Sequence, residues 1–198
     1  MRALSHHKKR CGDNDPQARF SCLFLAYLAF FYIAAFNPVF GEKVSQYLFV
    51  PLTEKIASAT SLLLNVLGEK TEVAPLDGEN PARVKILGSR YGVIIHNGCN
   101  GGFAAMIFLA ALLAYPLPVM ARICGALLGF VLVQGVNLAR TVSLFMVGAY
   151  HPEYFHDAHV FFAPGVVIVC VMAFWMFWID RWSVVPVRFR VGDEKSGS

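Results

Sequence analysis

The stretch from Val160 to Ile179 contains no charged residue and closes on Asp180-Arg181. An α-helix needs about 20 mostly apolar residues to cross the hydrocarbon core of a bilayer, so this run alone restricts the chain to a small set of folds. A second run, Phe20 to Phe40, has no charge between Arg19 and Glu42. A third, Ile123 to Ala139, continues past Arg140 through Thr141–Val147. Phe103 to Tyr115 is shorter, stops at Pro116-Leu117-Pro118, and reaches spanning length by starting near Asn100. Pro164-Gly165 should kink the last helix or delay its start. Composition agrees: 57% of the 198 residues are hydrophobic and 15% charged, against about 25% charged in soluble domains. Disorder and a nucleic-acid-binding role for the whole chain both need charge that this sequence lacks.

Basic residues flank the runs unevenly. Arg2, Lys8, Lys9, Arg10 and Arg19 precede the first, Arg122 sits in the turn between the second and third, and Arg181, Arg188, Arg190 and Lys195 follow the last. The segment 41–98 balances six basic against six acidic residues. The positive-inside rule then places both termini in the cytoplasm and the middle segment outside. A cleaved signal peptide is the rival reading of the first run, but the run exceeds an ordinary signal core and no small-residue cleavage site closes it. Residues 44–67 read as an amphipathic helix against the bundle or the membrane surface, with a fifth span as the alternative. Val84–Leu87 and Tyr91–Ile95, separated by Gly88-Ser89, read as a hairpin. The expected fold is an all-α membrane protein: a small bundle of about four transmembrane helices, plus the amphipathic helix and a short β-hairpin on the outer side. Residues 1–19 form a cytoplasmic arm, 20–182 the transmembrane domain and 183–198 a cytoplasmic tail.

Four spans bring three unusual residues to one rim. Cys99, within Asn97-Gly98-Cys99-Asn100-Gly101-Gly102, falls at a strand-to-helix turn, where backbone amides and the helix dipole favour a thiolate. The bland alternative is a structural cysteine in a glycine-rich packing motif. Cys22, Cys124 and Cys170 lie inside apolar runs and Cys11 in the arm, so Cys99 is the one exterior thiol. Arg140 stands in apolar helix, where a cation costs about 2.5–3.5 kcal/mol at the bilayer centre and normally faces a polar interior. Asn137, one turn earlier, offers a polar stripe; snorkelling to the interface is the structural alternative. His156 and His159 share a helical face in the loop before the last run. Either serves proton transfer, or both with Asp157 or Glu153 hold a metal, though the spacing fits no established metal motif. His96 is a further candidate near Cys99. A thiol, a cation and an imidazole at one rim suit acyl transfer through a thioester.

The order Asn-Gly-Cys99-Asn-Gly opening a membrane helix, Asn137-x-x-Arg140 in the next and a histidine before the following span resembles the exosortase/archaeosortase transpeptidases. The Gly-Cys-Asn-Gly form and the small size are most similar to the exosortase H subgroup. The resemblance covers roughly residues 45–178. It implies a bacterial inner-membrane enzyme with its site toward the periplasm. Such an enzyme cleaves C-terminal sorting signals of the Ile-Pro-Thr-Leu type from exported, membrane-anchored proteins and passes the new C-terminus to a surface acceptor. Cys99 is then the nucleophile, Arg140 the carbonyl-orienting or proton-donating residue, and His159 or His156 the histidine. Asn97, Asn100 and Asn137 become candidate substrate-binding residues. No metal, cofactor or nucleic acid is implied; the partners are substrate proteins and the bilayer. Because a guanidinium stays protonated, Arg140 suits charge stabilisation and the histidine proton transfer. Phe-Phe-Ala-Pro-Gly follows His159 where family members often show Gly, and this sequence lacks the additional N-terminal spans of many exosortases. Two other classes stand beside this reading: a non-enzymatic transporter or assembly protein with Arg140 as a buried structural or pathway cation, and a metal-dependent hydrolase.

Overall fold

The computed structural model describes residues 16–37, 41–75, 83–88, 91–96 and 99–182. Most of the predicted arm and tail, and Asn97 with them, lie outside the described residues. Helix α1 (Pro16–Phe36) opens on a proline, whose missing N–H is no loss in a first helical turn. It buries no residue and turns Leu25, Phe30 and Ile33 outward, the pattern of a helix apolar on all sides. It docks chiefly on α4 (Gly102–Ala114), where Phe36 stacks on Phe103 at 5.7 Å, and its Phe20 ring meets Trp175 at 5.8 Å.

The expected amphipathic helix is continuous from Gly41 to Val66, built as α2 (Gly41–Val44), a widened π-helical turn at Ser45–Phe49 and α3 (Val50–Val66). Its buried stripe is Thr53, Ile56, Ala57, Thr60, Ser61 and Leu64, the three-and-four spacing of one helical face. Much of that stripe is polar. Thr53 and Thr60 satisfy their hydroxyls on the carbonyls of Phe49 and Ile56, one turn back. Leu62, Leu63, Val66 and Leu67 point outward instead. The helix stops at Gly68, whose φ of 96° lets the amides of Gly68 and Glu69 reach back to the carbonyls of Asn65 and Leu64.

Strands β1 (Thr71–Pro75), β2 (Arg83–Gly88) and β3 (Gly92–His96) form one antiparallel sheet in the order β1-β2-β3. The expected hairpin is present as β2 and β3, with Val84 opposite Ile95 and Leu87 opposite Gly92. The additional strand β1 joins because Asn65 of α3 bonds both backbone groups of Thr71 and Ser61 bonds its hydroxyl. The sheet lies on α3, with Ile95 buried against Ile56, Leu64 and Phe145.

Helix α5 (Val119–Tyr150) is the spine, 32 residues long. Its buried seam runs Ala121, Gly125, Gly129, Val133, Asn137, Thr141, Phe145 and Gly148, with small residues where neighbours come closest. A second core of Phe108, Leu112, Leu117, Ala121 and Trp178 joins α4, α5 and α7 (Ala163–Trp182), and the Trp178 indole N–H donates to Ala121 O at 2.9 Å. The last run corrects one expectation. Pro164 does not delay the helix: α6 (Phe155–Asp157) passes through a π-helical turn at Ala158–Phe162 directly into α7. A widened turn just before a proline fits the backbone bond that Pro164 cannot make.

Among the described residues, three helical segments are long and apolar enough to cross a membrane: Pro16–Phe36, Val119–Tyr150 and Pro152–Trp182. The expected fourth, α4, is apolar but has 13 residues, about 20 Å of helix. It does not extend back to Asn100, because Gly101 breaks the helix with a φ of 77°.

At Gly129 a Cβ would stand 2.0 Å from the Phe108 ring. Gly129→Ala therefore wedges α5 from α4 and costs about 1–3 kcal/mol. Thermal unfolding in detergent should show a lowered midpoint that Phe108→Leu partly restores; an unchanged midpoint contradicts the close packing.

Candidate active site

The turn from Cys99 to Gly101 leads into α4 without being part of its α-helix, and two carboxamides hold it. Asn100 is fully buried. Its Nδ2 donates to Phe49 O at 3.2 Å and Thr53 Oγ1 at 2.9 Å, while its Oδ1 accepts from the Gly102 amide at 2.9 Å. Asn137, also buried, donates from Nδ2 to the Cys99 carbonyl at 3.0 Å. Its own carbonyl accepts from Thr141 Oγ1. Both residues were expected to bind substrate; their side chains bond within the protein and fix where Cys99 stands. Asn97 lies outside the described residues.

Cys99, Arg140 and His159 line one cavity of about 300 Å³, together with Tyr91–His96, Thr141, Leu144 and Phe155. Each comes from a different element: Cys99 from the turn before α4, Arg140 from α5 and His159 from the π-helical turn leading into α7. The Arg140 Nε and His159 Nδ1 are both buried and make no hydrogen bond among the described residues. Buried polar atoms in low dielectric are costly when unpaired, so this end of the cavity carries unmet hydrogen-bonding capacity. Cys99 is a free thiol, partly buried against the Ile56–Phe145 core. It stands three residues before the first residue of α4.

An aromatic row sets the imidazole. His159 stacks on Phe155 at 5.7 Å and 11°, one helical turn back; Phe155 meets Tyr91 at 5.9 Å, and Tyr91 meets Phe145 at 5.9 Å. Burial raises the Tyr91 phenol above its ordinary 10.0, so it stays neutral at the cavity wall. Gly148 permits the approach, since a Cβ there would lie 2.4 Å from the Tyr91 ring.

His156 is exposed and does not line the cavity, although it, His96 and Arg140 are all electrostatic neighbours of His159. His96 does line it. Among the described residues no three His, Cys, Asp or Glu side chains gather where they would hold a metal ion. Tyr91, Phe155 and Leu144 were not singled out from sequence; nothing local marks them, because they come to the cavity that Cys99 lines through the packing of β3 and α6 on α5. Gln134 was also missed. Its carboxamide lies against Gly101, buried and with neither polar atom bonded among the described residues. A lone glutamine one turn before Asn137 in an apolar helix is a signal that sequence offers.

Comparison with protein-family models, curated proteins and solved structures finds no match to this chain.

Removing either carboxamide leaves its partners unpaired, at about 1–3 kcal/mol for each buried group. Asn100→Ala should thus lower the thermal midpoint in detergent more than Asn137→Ala. Equal or negligible losses contradict the anchoring roles.

Proposed function

We propose that this chain is a membrane-embedded cysteine transpeptidase or protease, acting on C-terminal sorting signals of exported proteins. The observation that carries the reading is the shared cavity of Cys99, Arg140 and His159, with a buried nitrogen on each of the last two left unbonded among the described residues. The thiol proton passes to the His159 imidazole as sulfur attacks a peptide carbonyl carbon. Arg140, always cationic, faces the oxygen that becomes negative. Collapse of the tetrahedral intermediate breaks the C–N bond, and the imidazolium proton leaves with the amine. The resulting thioester is opened by a second nucleophile, an acceptor group or water, which restores the thiol.

The membrane arrangement belongs to the same proposal. Four helices cross the bacterial inner membrane with both termini cytoplasmic, and the cavity opens toward the periplasm. Arg140 stands 21 residues after Val119, about 30 Å along α5, so it lies near the far boundary of a core of similar thickness. Since α4 rises only about 20 Å, its Cys99 turn sits below that boundary, where irregular backbone must be enclosed by protein. The bonds of Asn100 and Asn137 meet that demand. A sorting signal ending in an apolar helix would bring its cleavage motif to this depth. The substrates are membrane-anchored proteins bearing an Ile-Pro-Thr-Leu-type motif.

The test is processing of such a substrate co-expressed with variants of this chain. Cys99→Ser should insert and fold normally yet abolish processing. His159→Ala should slow it by about 100-fold or more, the usual share of a proton-transfer group. His156→Ala should leave it nearly unchanged. Normal processing by Cys99→Ser ends the proposal, and solute flux that needs Arg140 but not Cys99 supports the transporter reading instead.

A further inference from the structure

The cavity is lined by six residues in succession, Tyr91, Gly92, Val93, Ile94, Ile95 and His96. Neighbouring side chains of a strand point to opposite faces, so a cavity lying against a face of the sheet meets every second residue. Burial shows that alternation here: Ile95 is 2% exposed in the core and Val93 packs beside it, whereas Ile94 is 40% exposed and His96 also turns outward. A cavity that nonetheless touches all six runs along the strand's edge, where the backbone N–H and C=O groups point. The strand order makes β3 an edge strand among the described residues. No hydrogen bond from another described residue reaches its backbone from outside the sheet. Three residues beyond the end of this edge stands Cys99.

An edge strand is a row of unpaired donors and acceptors, a template for one more chain. From this geometry, and resting on the thiol reading above, we infer that the substrate binds as an added strand on β3. Main-chain hydrogen bonds hold it in extended form and run its backbone into Cys99. Such binding draws affinity from the peptide backbone and specificity from alternate side chains. Side chains on one face of the added strand meet Leu144 and Phe155, while those on the other face turn outward beside Ile94. A proline in the motif is tolerated, since an added edge strand leaves alternate amides unbonded to β3.

The test uses the full chain in detergent and a capped peptide containing Ile-Pro-Thr-Leu that ends in a chloromethyl ketone, which alkylates a thiolate as the sulfur displaces chloride. Esters replace the peptide's amides one position at a time, removing a single donor without adding bulk. Labelling of Cys99, followed by intact mass, should slow by about 3- to 10-fold at every second position, the effect of one net hydrogen bond, and hardly change between them. Hydrogen exchange at Tyr91–His96 should slow in the labelled protein. Efficient labelling that is indifferent to every ester, or slowed without alternation, overturns strand addition and leaves the thiol reading standing. No labelling of Cys99 by the all-amide peptide defeats both.

Discussion

Backbone buried outside an α-helix or a sheet must find its hydrogen-bond partners within the protein, so every buried irregular turn has to be satisfied by its neighbours. The Cys99–Gly101 turn meets that constraint through Asn100 and Asn137. Asn100 ties the turn through its Nδ2 to the π-helical turn at Phe49 and to Thr53 of α3, and through its Oδ1 to the start of α4. Asn137 ties it to α5. Three elements distant in sequence are thereby joined at one point, and the sheet, α6 and the last helix pack around it. The polar stripe of α3 follows from the same need: Thr53 faces inward because it accepts from Asn100, while leucines are left for the outer surface.

The site inherits its order from this junction. A thiol held by its own backbone, a guanidinium on the spine helix and an imidazole stacked on Phe155 reach the cavity from three directions. None needs a long flexible segment to arrive there. Preorganisation of this kind is what acyl transfer requires, because the oxyanion must meet its donor without rearrangement. Small residues on α5 are equally part of the arrangement. Gly125 and Gly129 draw α7 and α4 close at one end, and Gly148 admits Tyr91 at the other.

Much of the helical fold was legible because absence of charge over a long run is sufficient evidence for a long apolar helix. Cys99, Arg140 and His159 were legible as chemically unusual residues in an apolar chain. What the residues did not reveal follows from contacts distant in sequence. Thr71–Pro75 is too short and too plain to announce a strand, and it becomes one through Asn65 and β2. Spanning length for α4 requires a start near Asn100, but Gly101 turns the backbone there and the Asn100 side chain is committed to Phe49 and Thr53. Helical spacing puts His156 and His159 on one face and so cannot rank them; depth along the helix does, and only His159 lines the cavity. The Gly125-x-x-x-Gly129 seam was visible in principle and went unread, since each glycine is unremarkable alone.

Proximity of the thiol and the imidazole is the claim on which the chemistry stands. It can be measured without any substrate, in protein whose other cysteines are replaced and which carries His159→Cys. A short bifunctional thiosulfonate should bridge Cys99 to residue 159 rapidly, while the matching His156→Cys protein stays unbridged. If both thiols of the His159→Cys protein react with a monofunctional reagent yet no bridge forms, the two side chains do not share a cavity and the account is contradicted.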